Sequence, residues 1–343
     1  MTTAFITGLS GEELSPAERS FLRSSAPCGL ILFSRNCRDH AQIRALVSSS
    51  REAIGSADIL VLIDQEGGRV QRLRPPLGRP LPPAAAYASR YAEDRESACE
   101  WAAFAARLVA EDLKALGINT CCAPVLDVPV EGAHDVIGDR AYGTTPDQIA
   151  ALGRSVAEGF LSGGVLPVIK HIPGHGRATK DSHFDLPVVT ATHEVLSETD
   201  FAPFRALADM PAAMTAHVVF TALDPDAPAS TSEHVTREII RGELGFDNLL
   251  MSDDLSMKAL SGTLKARAEA VIRAGSDLAL HCNGDLEEME AVAANVPVLA
   301  GKAAERFGRA SRLLGQSKPF DVARAEAALA GALAIGSRRT ESV

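Results

Sequence analysis

Eight short apolar runs recur along the chain, each followed by a stretch with helical spacing, and this alternation constrains the fold more than any other feature. The runs are TAFIT (3–7), GLILF (29–33), DILVLID (58–64), INTCCAP (118–124), LPVIKH (166–171), PAAMTAH (211–217), NLLMSDD (248–254) and DLALHCN (277–283). A strand that is apolar without alternation is one buried on both faces, as in a parallel sheet covered by helices. Eight such strands with intervening helices predict an α/β fold, a (β/α)8 TIM-type barrel. The punctuation agrees. Ser15-Pro16-Ala17-Glu18 reads as a capping box with proline at the first helical position. Gly117 and Gly275 each stand where a helix ends before a strand.

Two connections break the short-loop rule. Residues 72–87 carry five prolines and read as an ordered extended connection leaving the third strand. Residues 170–195 form the other long loop, after the fifth. No internal repeat or linker divides the chain, so residues 1–343 read as one domain, with a final Ala-rich helix and a frayed tail over 336–343.

Composition removes several functions. Hydrophobic residues make up 46 % of the 343 and charged residues 23 %, enough for a large core. A net charge of −10 with no basic run argues against a nucleic-acid surface. The first residues lack a basic segment followed by an apolar one, so no secretory signal is expected. No apolar run reaches about 18 residues, so no membrane span is expected. Six cysteines, none in a C-x-x-C pair, read as reduced thiols in a cytosol, with Cys121 and Cys122 packed in the core.

Strand after strand ends in a polar or ionisable group: Asp64, Asp127 beyond the fourth run, Lys170 and His171, His217, Asp253 and Asp254, His281 and Asn283. In a parallel barrel these ends share one face, where barrel active sites are built. The densest segment is KHIPGHGRATKDSH (170–183), with three of the nine histidines. His171 and His175 have the i, i+4 spacing of a zinc-binding helix, but Pro173-Gly174 between them breaks that helix. Neither Gly174-His175-Gly176 nor Gly67-Gly68 matches a phosphate-binding fingerprint. Acid–base chemistry with a carboxylate nucleophile fits better. Asp181 and His183 are spaced i, i+2, so an extended backbone puts them on one face. A carboxylate there favours the charged imidazole and fixes its tautomer. Asp253 and Asp254 are neighbours on a strand, so one of them is expected to face the mouth. One carboxylate nucleophile plus a separate proton-transfer group is the layout of a retaining glycosidase.

These segments resemble glycoside hydrolase family 3, in particular the single-domain β-N-acetylhexosaminidases of bacteria. GLILFSRN, IDQEGGRVQR, APVLDV, GDRAYG, KHIPGHGRATKDSH, MTAHVVF and MSDDLSM occur in the family's order over almost the whole chain. Ile172 stands where phenylalanine is commoner. The resemblance implies that Asp253 is the nucleophile and that His183, paired with Asp181, is the general acid–base. It implies that Asp64, Arg72, Arg140, Lys170 and His171 bind the sugar, with His175 shaping the loop and Asp127 and His217 lining or backing the pocket. Gly174 and Gly176 are then expected to let the loop swing while Lys170 and His171 stay on a rigid strand end.

The substrate so implied is a muropeptide, typically a 1,6-anhydro-N-acetylmuramyl peptide with terminal β-linked N-acetylglucosamine (GlcNAc), cleaved in the cytoplasm during cell-wall recycling. No metal, organic cofactor, nucleic acid, membrane or obligate protein partner is implied. The rivals are a family 3 β-glucosidase, whose acid–base residue usually comes from a second domain, a metal-dependent barrel hydrolase, and a catalytically dead sugar-binding protein.

Overall fold

The computed structural model describes residues 1–178, 180–182 and 185–340. Its barrel strands are β1 (Thr3–Gly8), β2 (Pro27–Leu32), β3 (Leu60–Ile63), β4 (Thr120–Cys121), β5 (Leu166–Pro167), β6 (Ile169–Ile172), β7 (Ala212–Thr215), β8 (Leu249–Asp254) and β9 (Leu278–His281). They pair in parallel in the order β5-β4-β3-β2-β1-β9-β8-β7-β6. The two ends of that order are halves of one strand interrupted at Val168. The Val168 N–H donates to the carbonyls of Cys121 and Ala123, Lys170 N–H to Pro124, and Leu126 N–H to Lys170. The sheet therefore closes as an eight-stranded barrel, and each of the eight apolar runs contributes one strand.

Alternation explains why these strands read as continuously apolar. Ala4, Ile6, Leu60, Leu62, Met214, Met251, Leu278 and Leu280 fill the barrel interior. Their neighbours Phe5, Val61, Ile63, Leu250 and Ala279 point outward into the layer beneath the helices. Cys122 packs inside and Cys121 outside, both fully buried, as expected of core thiols.

The first helix, Pro16–Ser25, begins with the capping box read from the sequence. Glu18 N–H donates to Ser15 Oγ at 3.1 Å, and Ser15 N–H donates back to Glu18 Oε2 at 2.9 Å. Gly275 closes the helix Leu264–Ala274 in the left-handed conformation. The proline-rich segment is not extended throughout: Leu77 and Gly78 N–H groups donate to the Arg74 carbonyl in a turn, and after Pro83 the chain enters a helix, Ala84–Glu93. A hairpin of Gln65–Gly67 and Val70–Gln71 follows β3 and was not expected. The terminal helix, Val322–Thr340, runs past Ile335 into the segment expected to fray. Among the described residues, no helix is long and apolar enough to cross a membrane.

Candidate active site

At the carboxyl ends of the strands a cavity of about 430 Å3 opens, lined by residues from β2, β6, β7, β8 and β9 and from the segments after β2, β3, β4, β6, β8 and β9. Asp64 follows the last residue of β3, and the hairpin behind it turns Glu66 and Arg72 back over the mouth. Gln65 fixes that hairpin: its Oε1 accepts from the backbone N–H groups of Arg72 and Leu73, both at 3.0 Å. Arg72 Nη2 then donates to Asp64 Oδ2 at 2.8 Å. Lys170, on β6, reaches Asp64 Oδ1 at 2.9 Å and Glu66 Oε1 at 2.6 Å. Arg140 grips Glu66 with two parallel bonds, both 2.8 Å, and comes from the turn Gly138–Arg140.

Five alternating charges thus form one continuous network in which each cation fixes a carboxylate. Burial alone would raise the Asp64 and Glu66 carboxyls. The adjacent cations reverse that: Lys170 and Arg72 hold Asp64 well below the usual carboxylate range, and Arg140 and Lys170 bring Glu66 down to about 2. Burial likewise opposes a charge on Lys170, but Asp64 and Glu66 keep it protonated well above the ordinary lysine value. The network is ionised at neutral pH and offers fixed donors and acceptors to a hydroxyl-rich ligand.

Asp127, fully buried, is a second hub. Its Oδ2 lies 2.7 Å from His171 Nδ1, and its Oδ1 accepts from the backbone N–H of His171 at 3.2 Å and of His175 at 2.7 Å. With Nδ1 committed to Asp127, His171 presents its other nitrogen to the cavity. Lys170 and His171 both line the cavity although they are adjacent on β6; the peptide bond between them is cis. His175 also lines the cavity, with its ring 5.7 Å from that of His171 and inclined at 61°. Burial, with His171 beside it, depresses His175 to about 4 and keeps it neutral.

The two glycines of this loop serve close approach. A Cβ on Gly176 would lie 2.0 Å from the carbonyl oxygen of Val128, and Gly174 has φ +146°. His175, Ala178 and Ser182 are buried, so the stretch from Gly174 to Ala178 packs against the barrel.

Asp253 and Asp254 both line the cavity, where strand alternation would place one. The register between β8 and β9 shifts between Met251 and Asp254, which breaks the alternation. Their environments differ sharply. Asp254 accepts at both oxygens: Oδ1 from the N–H groups of Ser256 at 3.0 Å and Cys282 at 3.1 Å, and Oδ2 from the Ser256 hydroxyl. Asp253 Oδ1 accepts from the Asp254 N–H at 2.8 Å. Among the described residues no other hydrogen bond reaches the Asp253 carboxylate. Burial would raise Asp253, but His217, His171, the Asp254 N–H and Lys170 together hold it below the ordinary aspartate value. His217 lies behind this strand end, its Nε2 donating to the Asp254 carbonyl at 3.0 Å and its Nδ1 2.7 Å from Ser230 Oγ.

Asp181 and Ser182 close one side of the cavity. His183 lies outside the described residues. Of the residues expected from the sequence, Asp64, Arg72, Arg140, Lys170, His171, Asp181 and Asp253 surround one cavity, whereas Asp127 and His217 back it from the interior. Glu66 and Arg35, which line it too, escaped the sequence reading. Arg35 and Arg72 each place a guanidinium over the Phe33 ring, 4.8 and 4.9 Å from its centre. The IDQEGGR segment held Glu66 in plain view, but a glutamate beside two glycines reads as a solvated turn. Among the described residues, no group of three His, Cys, Asp or Glu side chains is arranged to hold a metal ion.

A closed parallel barrel whose mouth carries an ionised carboxylate with open lone pairs, ringed by fixed arginine and lysine donors, has the form of a (β/α)8 glycosidase. The comparisons give the family. Residues 7–313 match the model of the glycosyl hydrolase family 3 N-terminal domain. A β-hexosaminidase of Alkalilimnicola ehrlichii is 40 % identical over 294 residues, 84 % of this chain and 83 % of that protein. The crystal structure of NagZ from Neisseria gonorrhoeae in complex with N-trifluoroacetyl-D-glucosamine superposes with a TM-score of 0.87 at 30 % identity, covering 96 % of this chain and 98 % of that one. The same Neisseria protein solved with a zinc ion gives a TM-score of 0.84 at 28 % identity, covering 98 % of each chain. The chain belongs to glycosyl hydrolase family 3. Within that family it is a glycoside hydrolase of the β-N-acetylhexosaminidase kind.

Proposed function

We propose that this protein is a retaining β-N-acetylglucosaminidase that removes the terminal, non-reducing β-linked GlcNAc of cytoplasmic muropeptides, of the GlcNAc-1,6-anhydro-N-acetylmuramyl peptide class, as one catalytic domain. The observation that carries the reading is the contrast between the paired aspartates. Asp254 has its oxygens committed to Ser256 and Cys282, whereas Asp253 is ionised, faces the cavity and is steadied by one N–H. An anionic carboxylate held at one oxygen keeps the other for bond formation.

In the first step the Asp253 oxygen attacks the anomeric carbon as the glycosidic C–O bond breaks, and His183, paired with Asp181, gives its proton to the departing oxygen. In the second, His183 takes a proton from water, whose oxygen attacks the same carbon and frees the Asp253 carboxylate. Asp64, Arg72, Arg140, Lys170 and His171 hold the sugar hydroxyls and acetamido oxygen. The comparison proteins, one of them solved with an acylated glucosamine, support that sugar class. Treatment with a fluorinated slow substrate, followed by peptide mass analysis, tests the nucleophile. One added sugar on Asp253 is the expected result; an adduct on Asp254, or none from an active sample, refutes it.

A further inference from the structure

Ser182 is one residue before His183 in the chain, yet it is 3 % exposed and held from two directions. Its hydroxyl lies 3.0 Å from His175 Nε2, and its carbonyl accepts from the Ala259 N–H at 3.2 Å. Each anchor leads to a different part of the site. His175 is fixed by its own N–H on Asp127, the carboxylate that also orients His171. Ala259 belongs to the segment that follows the Asp253–Asp254 strand end. Ser182 therefore ties the loop at once to the strand bearing Lys170 and His171 and to the segment following Asp253.

We propose that Ser182 is a positioning residue for the reaction: with His175 it sets where the chain delivers its proton-transfer residue relative to nucleophile and sugar. This rests on the reading of His183 as the general acid–base. The Ser182–His175 bond is buried and neutral at both ends, so it gives direction without adding charge to the cavity. A rotor on a long loop would otherwise sample many positions, and catalysis falls steeply with misplacement of the transferring group. The other nitrogen of His175, Nδ1, is buried without a partner among the described residues. The hydroxyl of Ser182 is thus the one side-chain contact in the described structure that fixes the His175 ring by hydrogen bonding.

The test compares kcat/KM for two substrates, a β-GlcNAc disaccharide whose leaving group needs protonation and a dinitrophenyl β-GlcNAc whose leaving group does not. The ratio of the two reports acid assistance and cancels any loss of folded enzyme. Ser182→Ala is expected to lower that ratio about tenfold, the worth of one well-placed hydrogen bond, while Ser182→Thr, which keeps the hydroxyl, restores most of it. Should the alanine variant fold poorly, His175→Phe breaks the same bond from the other end, and the double variant should fall no further than the worse single one. An unchanged ratio in Ser182→Ala and His175→Phe, with a lowered ratio in His183→Ala, overturns the proposal alone. An unchanged ratio in His183→Ala overturns the acid–base reading and the proposal with it.

Discussion

Glu66→Gln exposes how far the charge network holds the sugar-binding side of the cavity. The Glu66 side chain is 7 % exposed and accepts three charge-assisted contacts, one from Lys170 at 2.6 Å and two from Arg140 at 2.8 Å. Glutamine keeps the shape but turns one acceptor into a donor facing a cation and leaves Arg140 without its carboxylate. Breaking a buried pair by removing one partner costs about 3–5 kcal/mol. The retained amide oxygen places this change at the lower end, at about 3 kcal/mol. With about 2.1 cal/mol/K per residue, a chain of 343 residues has an unfolding entropy of roughly 0.7 kcal/mol/K, so Tm should fall by about 4 °C. Lys170 keeps Asp64, so the chemistry near Asp253 survives, and the loss should appear mainly as a rise in KM with an aryl β-GlcNAc substrate. Differential scanning fluorimetry and steady-state kinetics measure both. Glu12→Gln, which removes an exposed ion pair with Arg38, is the control and should shift Tm by less than about 1 °C. If Glu66→Gln matches that control in Tm and its KM stays within about twofold of the parent, the network does not organise the site.

The same network gives the protein a two-sided pH dependence. The folded carboxyls of Asp64 and Glu66 are depressed, so their contribution is full above the unfolded value of about 4.3 for glutamate and is lost as pH falls toward the folded value, about 2 for Glu66. Lys170 is raised in the fold, so its contribution is full below about 10.4 and is lost as pH climbs past it. Glu66→Gln lacks one of the acid-side titrations and should lose Tm less steeply between about pH 4.5 and 3 than the parent; parallel slopes would contradict this assignment. Chelator-treated protein is expected to retain its activity on aryl β-GlcNAc, because Asp253 needs no bound cation to remain ionised. Stoichiometric zinc whose removal abolishes turnover and whose return restores it would favour the metal-hydrolase alternative.

The barrel was legible in the sequence because its strands are buried on both faces, and that demand writes uninterrupted apolar runs such as LVLI and LLM into the chain. The caps were legible because Ser15 with Glu18, and Gly275, satisfy helix ends through contacts a few residues long. Polar strand ends pointed to the site for a topological reason: parallel strands place all their carboxyl ends on one face. Contacts across the chain were invisible. Glu66 is separated from Arg140 by 74 residues and from Lys170 by more than a hundred, so only barrel closure reveals it as a buried partner rather than a turn residue. Strand alternation foresaw one aspartate at the mouth, but the register shift between β8 and β9 turns both there, and the hydrogen bonds from Ser256 and Cys282 then distinguish them. Nor did the glycines of the 170–183 loop announce that Gly176 is the gap that lets the loop lie on the Val128 backbone. Sequence thus determined the strands, their order and the residue types at the mouth, since these follow from local periodicity and parallel topology. The tertiary structure decided which charges neutralise one another and which carboxylate keeps free lone pairs, because burial and through-space distance set both.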